Sequence, residues 1–305
     1  MKINILVLNY NRKDLLGLYL PSVCEAAKMS SNICKVWVVD NASTDGSSEF
    51  VKKNFPEVNI VGAKSNRVLF SYNDVVKDLD SDIVIFLNND IKVKEDFIDP
   101  LIGHFRNNRI FFAAPCVLNM DGTFNGGKSR FKFRWGIIKS EVDKLSYREA
   151  GSTQMISCGA FRRGLFLKFG GFDDLYWPGI WEDADLCYRG LKHGYSGVYE
   201  PRSVIWHDES TTFKKEYGNR EKMILAHRNM FLFFWKNITD IKMIVTHIIM
   251  LIPAIAGAII KNNIEFMIGF FRALPKINEA VKRRAGLNKK DYVLKDRDLI
   301  LWRSV

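Results

Sequence analysis

The chain has 305 residues, 47% apolar and 26% charged, which excludes a disordered chain and a small disulfide-stapled scaffold. Cys24, Cys34, Cys116, Cys158 and Cys187 stand singly with no CxxC pair, so a structural zinc site or disulfide framework is not expected and a reducing, cytoplasmic setting fits. The formal charge is +11, but residues 1–210 hold 27 basic and 26 acidic side chains while residues 211–305 hold 18 and 8. The last third alone therefore calls for an anionic partner: a phospholipid surface, a lipid diphosphate or a nucleic acid.

Ile3–Leu8 reads as a buried strand, too short and too soon interrupted for a secretory signal. Asp14–Ala27 carries apolar residues at helical spacing. Val36–Val39 is a second apolar run that stops at Asp40, and the turn and cap residues Asn41–Gly46 lead into a helix over Ser47–Phe55. Val58–Val61 and Ile83–Leu87 read as two more strands. Short apolar strands alternating with helices predict an α/β layered domain with a mostly parallel sheet. Residues 120–150, rich in Gly, Lys and aromatics, read as a loop or hairpin insertion. Met243–Ile260 and Ile264–Leu274 are long apolar stretches.

Polar clusters recur at the carboxyl ends of the strands: Asn9 and Asn11, Asp40 and Asp45, Asn88 to Asp90. In open α/β sheets ligands gather at that edge, although Asp and Asn also cap the following helix. No GxGxxG follows the first strand and no GxxxxGK[ST] occurs, which weakens a dinucleotide dehydrogenase or a P-loop enzyme. A dense acidic helix start, Trp181-Glu182-Asp183-Ala184-Asp185, follows a Gly170-Gly171-Phe172-Asp173 turn. Arg189 and then His207 come after it.

These pieces resemble a family 2 glycosyltransferase with the GT-A fold, nearest to the bacterial rhamnosyltransferase-like branch. The likeness is carried by Leu8–Asn11, Val39–Gly46, Phe86–Asp90, Gly170–Asp173, Glu182–Arg189 and Val204–His207, in order over roughly residues 3–210. It implies a GT-A catalytic domain over 1–210, with a nucleotide-sugar half to about 118 and an acceptor half beyond, and a basic, apolar, membrane-associating helical region over 211–305. Asn9, Tyr10, Asn11, Asp40, Asp45, Asn66, Arg67, Asn73, Asn89 and Asp90 are the implied donor contacts. Asp40 suits the imide N–H of uracil or thymine, and Tyr10 suits stacking on the base.

In the family an Asp-x-Asp motif binds a divalent cation, Mg²⁺ or Mn²⁺, that meets the charge growing on the leaving diphosphate. Here the motif reads Asn88-Asn89-Asp90, so Asp90 is its one carboxylate, and His207 resembles the additional metal ligand. A glycine usual in the donor loop is replaced by Val68. Asp183 corresponds to the base that takes the acceptor proton, giving inversion. Glu182 and Asp185 flank it and are expected to raise its pKa by like-charge proximity. Trp181, Glu182, Asp185 and Trp206 are placed on the acceptor side.

The implied partners are a nucleotide sugar (dTDP-rhamnose or UDP-hexose), a glycan or polyprenyl-diphosphate-linked acceptor, and an anionic membrane at the cytoplasmic face. Basic residues on both sides of the apolar stretches fit interfacial helices or a re-entrant hairpin better than one crossing. A processive synthase would carry Gln-x-x-Arg-Trp after the base, whereas Arg134-Trp135 precedes Asp183 with Phe131 in the Gln place. A nucleic-acid partner is not expected, because the basic tail is interleaved with long apolar runs.

Overall fold

The computed structural model describes residues 1–208, 212–287 and 289–302. The expected boundary near 210 lies outside the described residues. The first half alternates β1 (Lys2–Asn9), α1 (Lys13–Met29), β2 (Ile33–Asp40), α2 (Ser47–Asn54), β3 (Asn59–Gly62), α3 (Tyr72–Asp78), β4 (Ile83–Asn88), β5 (Ile91–Val93), α4 (Ile98–Gly103) and β6 (Ile110–Asn119). A run of shorter strands follows: β7 (Phe124–Gly126), β8 (Ser129–Arg134), β9 (Ile137–Val142), β10 (Gly151–Thr153) and β11 (Gly159–Arg162). Then come α5 (Arg163–Lys168), α6 (Glu182–Lys192), β12 (Ser196–His207), α7 (Thr212–Asn237, broken at Gly218), α8 (Ile241–Ile260), α9 (Ile264–Ala273), α10 (Ile277–Ala285), α11 (Asp296–Leu299) and β13 (Leu301–Trp302).

The main sheet runs β10-β12-β6-β11-β4-β1-β2-β3, with β5 on β12 and β7 on β6. β3, β2, β1 and β4 are mutually parallel, as is the β6–β12 pair, while β11 runs antiparallel between β4 and β6. The sheet is therefore mixed around a parallel half. The chain moves outward from β1 to β2 and β3, then returns to β4 on the other side of β1. That reversal opens a crevice outside the carboxyl ends of β1, β2 and β4.

Alternate side chains of each central strand enter opposite cores, which explains their continuous apolar runs. Ile5 and Val7 of β1 and Ile83, Ile85 and Leu87 of β4 face α1, α2 and α4. Leu6, Val84 and Phe86 face α3, α5, α6 and α7. Residues 129–142 form the β8–β9 hairpin, where a loop or hairpin was expected, and β13 adds to β8 in parallel.

The last third is not uniform. Met230–Trp235 of α7 is buried in the same core as β1 and β4. α8 instead leaves most of its apolar side chains in solvent. Behind them, Asp296 of α11 is a buried hub: Tyr188 Oη and Lys192 Nζ donate to its Oδ1, the latter at 2.8 Å, and the Thr239 and Asp240 backbone N–H groups donate to its Oδ2 at 2.7 Å.

Candidate active site

The strand ends form a hydrogen-bonded crevice floor. Asn9 stands opposite Asp40 across β1 and β2, and Leu8 opposite Asn88 across β1 and β4. Asn9 Nδ2 donates to Asp40 Oδ1 at 3.4 Å and to Ser43 Oγ at 3.2 Å, and Asn89 Nδ2 donates to Asn9 Oδ1 at 2.8 Å. Ser48 Oγ donates to Asp40 Oδ2 at 2.7 Å, and Ser43 Oγ donates to Oδ1. Asp40 is thus buried with both oxygens engaged. Asn11 and Asp45 stitch the first two loops together: Asn11 Oδ1 accepts from Thr44 N at 2.7 Å, while Asp45 accepts from Lys13 N at 2.9 Å and Ser47 N at 3.0 Å. For Asp45 this is the capping role that any strand-end Asp can take. Tyr10 is half-buried beside them.

The loop before α3 is held in a conformation that suits glycine. Val68 has φ 49°, a genuine outlier for a β-branched residue. Asn66 Oδ1 accepts from Val68 N and Asn41 Nδ2 donates to Val68 O, both at 2.9 Å, which fixes the strained turn. Asn73 was expected to touch the donor, but its amide grips the main chain of Phe172 on both sides, accepting at 2.8 Å and donating at 2.7 Å. A Cβ on Gly171 (φ 68°) would lie 2.2 Å from Asn73 Oδ1, so the Gly-Gly turn is what lets this loop close. Arg67 is paired with Asp74 at 2.9 Å on the surface.

The two expected metal ligands, distant in the chain, meet. β5 runs antiparallel to the end of β12 with Ile91 opposite His207, which leaves Asp90 Oδ1 3.3 Å from His207 Nε2. Among the described residues no group of three His, Cys, Asp or Glu side chains converges. A carboxylate and an imidazole fit a hard divalent cation whose other ligands are water and substrate phosphates. Asn88 is exposed and Asn89 is turned inward to Asn9, so Asp90 carries the motif's charge here. Trp206 is half-buried, with Lys92 Nζ 5.7 Å from its ring centroid. Arg12 was missed by the sequence reading. Its guanidinium is paired with Asp14, Nε at 2.9 Å and Nη2 at 2.8 Å, and also lies in the fields of Asp90 and Asp208, while its buried Nη1 has no hydrogen-bond partner among the described residues. That unsatisfied donor suits an anionic ligand.

α6 begins in a strained turn: Ile180 has φ 71° and Trp181 φ 79°. The turn is clamped from α7, where the buried Asn229 Nδ2 donates to the carbonyls of Tyr176, Gly179 and Ile180 at 3.0, 2.7 and 2.7 Å. Trp181 packs on Phe131 and Phe233 and so serves partly as core. The next three carboxyls differ sharply. Glu182 is buried, and burial followed by the charge of Asp183 pushes its pKa well up. Asp183 is half-buried with its Oδ1 accepting from Ala184 N at 2.7 Å, and burial pushes its pKa up to about 6. Burial is the leading cause, and the repulsion between the two neighbouring carboxyls raises Glu182.

Asp185 corrects the acceptor-side expectation outright. It is fully buried in an ionic cluster with Arg189 at 2.8 Å, Lys236 at 2.7 Å, Asn237 at 2.7 Å and Tyr176 Oη at 2.8 Å. Burial opposes its charge, but Lys236 and Arg189 outweigh that and hold its pKa below the ordinary range. Lys236 also pairs with Asp173 at 2.6 Å. Glu182 is likewise enclosed rather than open to an acceptor. Lys236 reads in the sequence as a basic flank of the apolar stretch Met243–Ile260, but it is buried against Asp185; Asn229 and Asn237 escape that reading, although Asn229 and Lys236 border the apolar run 230–235, a signal that a buried polar partner is needed.

Cys158 feels both Asp90 and Asp183. Burial, then the charges of Asp90 and of Asp183, push the thiol of Cys158 up to about 12. Asp40 and Asp90 lie at strand ends of the main sheet, and Asp183 lies in the first turn of α6.

Comparison with known proteins bears on the family and the fold. The chain is 25% identical over 231 residues to the O-antigen chain rhamnosyltransferase RfbN of Salmonella typhimurium, covering 71% of this chain and 69% of that protein. It is 24% identical over 229 residues to the N-acetylglucosaminyl-diphospho-decaprenol L-rhamnosyltransferase of Mycobacterium tuberculosis, covering 65% and 73%. A pre-mycofactocin glycosyltransferase of the same organism is 28% identical over 141 residues, and the match spans 28% of that protein's length. The fold superposes on a mannosyltransferase of Pyrobaculum calidifontis, solved with GDP-Man and Mn²⁺, with TM-score 0.57 at 16% identity, covering 94% of this chain and 85% of that one. GalNAc-T7, solved with UDP, GalNAc and Mn²⁺, gives 0.55 at 14%, covering 75% and 50%. These two likenesses are of fold, and they identify the layered domain as GT-A-like. The profile of the family described as Glycosyl transferase family 2 matches residues 4–170, more than half of the 305, and the chain belongs to that family.

Proposed function

We propose that the protein moves one sugar per encounter, with inversion, from a nucleotide diphosphate donor to a hydroxyl of a glycan or a polyprenyl-diphosphate-linked acceptor. The donor is dTDP-rhamnose or UDP-hexose, and the setting is cell-surface polysaccharide synthesis at the cytoplasmic face of an anionic membrane. The rhamnosyltransferase names of the relatives, one of which specifies a diphospho-decaprenol acceptor, support this choice. The reading is supported by a half-buried Asp183 in the first turn of α6, with its pKa raised to about 6, and by the meeting of Asp90 with His207.

Each residue has a task in this reading. Asp40 accepts from the pyrimidine imide, and Tyr10 covers the base. Arg12 Nη1 reaches the diphosphate. Asp90 and His207 would hold Mg²⁺ or Mn²⁺, which supplies positive charge to the departing diphosphate. Asp183 takes the proton of the acceptor hydroxyl as that oxygen attacks the anomeric carbon. A carboxyl with pKa near 6 is ionised at neutral pH yet basic enough to share the proton.

The test is Asp183→Asn, assayed with dTDP-rhamnose and UDP-hexoses in the presence of Mn²⁺ and a lipid-extract acceptor. Transfer should fall by about 10²–10⁴-fold, the range for losing a general base. The nucleotide diphosphate should still raise the melting temperature. Full transfer by the variant would remove Asp183 from the mechanism.

A further inference from the structure

The apolar part of the last third is exposed in an ordered way. In α8, Ile241, Val245, Ile248, Ile249, Ile252, Ile259 and Ile260 are all exposed, Ile252 at 77% and Ile260 at 83%. They recur at helical spacing along one face of a helix about 30 Å long at 1.5 Å per residue. A continuous exposed apolar strip of this length marks an interaction surface.

The opposite face is fixed to the protein. Met243, His247 and Ala258 are buried there. His247 Nδ1 donates to Gly136 O at 2.6 Å, and its Nε2 accepts from the Trp235 indole at 3.1 Å. The imidazole also stacks on Phe234 with ring centroids 4.1 Å apart. A Cβ on Gly136 would lie 2.7 Å from the Met250 Cβ, so the glycine at the β8–β9 turn lets helix and hairpin touch. Trp135, beside it, is exposed.

We propose that α8 lies flat in the headgroup region of an anionic leaflet, with its Ile248, Ile249 and Ile252 face toward the acyl chains, and does not cross the bilayer. This rests on the membrane setting proposed above and specifies its geometry. A crossing helix would pull the β8–β9 turn and its polar main chain, tied to His247, into hydrocarbon. Lys242 and Lys261 stand exposed at the two ends of α8, and a crossing would carry one of them to the far side against the positive-inside bias. An in-plane helix keeps both at the headgroups, where anionic lipid attracts them. The charge pattern selects lipid over a second copy of this chain: the strip is bounded by Lys242 and Lys261, and Lys276 and Lys282 follow in α9–α10 beside exposed Phe271, Ile277 and Val281.

The experiment is flotation of the full chain with phosphatidylcholine vesicles, with and without 30% phosphatidylglycerol. The expected result is recovery with the anionic vesicles and at least tenfold weaker recovery with the neutral ones. Ile249→Glu with Ile252→Glu should weaken anionic-vesicle binding at least tenfold while keeping the nucleotide-induced rise in melting temperature. Single Lys242→Cys and Lys261→Cys chains, bound to closed vesicles, should react equally with an impermeant thiol reagent added outside. Protection of one end overturns the in-plane geometry. Vesicle binding unchanged by the double variant, or a dimer that the double variant dissociates, overturns the surface assignment. A chain that transfers sugar but ignores vesicles sinks this proposal and leaves the transferase reading standing. A chain that binds vesicles but no nucleotide does the reverse.

Discussion

At the strand ends, Asp40 is held by neutral donors from the first two loops, Asn9, Ser43 and Ser48. By contrast, the turn before Asp183 is held by Asn229, and the helix behind it by Lys236 and Asn237, all from α7. The donor side is a set of short-range hydrogen bonds at one sheet edge. The Asp183 side is a buried ionic assembly whose parts come from α6 and α7, with Asp185 and Lys236 51 residues apart in the chain. The first tolerates loss of one partner, because other donors and water remain. The second does not, because removing one charge leaves another stranded in a low-dielectric interior.

That contrast is tested most severely at Lys236. Lys236→Met removes the cation shared by Asp185 and Asp173, both sides of the pair being almost wholly enclosed. Urea unfolding should show a loss of about 3–5 kcal/mol, the usual consequence of breaking a buried pair. Ser48→Ala on the donor side should cost about 1.5 kcal/mol, as for a hydrogen bond to a carboxylate. Equal losses at the two positions would erase the distinction. The same logic argues against probing membrane attachment by truncating the last third, since losing Asp296 leaves the buried Lys192 without its carboxylate.

A smaller effect separates activity from stability at Asp183. Its folded pKa of about 6 lies above the ordinary 3.8, so the charged form is disfavoured by the fold. The base must be ionised to act, so kcat/KM should rise with pH through about 6, level off above it, and fall roughly tenfold per unit below it. Stability runs the other way: the carboxyl's contribution is fully present below 3.8 and is lost as pH rises through 6. Asp183→Asn should therefore melt higher than the parent at pH 8 even though its transfer is strongly reduced. A flat pH–rate profile between 5 and 7 would break this account.

The smallest change is at Val68. Left-handed backbone costs a residue with a Cβ about 1–2 kcal/mol, partly offset by the entropy a glycine loses on folding. Val68→Gly should raise stability by about 0.5–1 kcal/mol in urea unfolding and leave nucleotide affinity within twofold. A destabilised variant would show that the valine side chain contributes packing that outweighs the strain.

Much of the parallel half of the sheet was legible because its signals are local. Val36–Val39 followed by Asp40 and a run of cap residues is at once a strand, a stop and a ligand edge, and β1, β2, β3 and β4 fall within a few residues of their expected limits. The pairing of Asp90 with His207 was legible only through family resemblance, because it depends on β5 docking against the end of β12. The fate of Asp185 was not legible at all. An acidic helix start reads the same whether its residues face solvent, substrate or a buried lysine, and the lysine that decides the matter lies in another helix. Asn73 misled for a related reason: an amide recognises main chain as readily as a sugar nucleotide, and only the fold brings Phe172 to it. The tail's composition likewise averaged two unlike helices, one sunk in the core and one facing out.

The clamp on the turn before Asp183 has a consequence for how the protein is made. Ribosomes deliver the chain from its amino end, so Tyr176–Trp181 emerges well before the Asn229 that fixes its carbonyls. Met230–Trp235 of the same helix also fills the core beneath β1 and β4. The last turn of synthesis to matter for Asp183 is therefore also one that the sheet itself waits for, and the two are completed together.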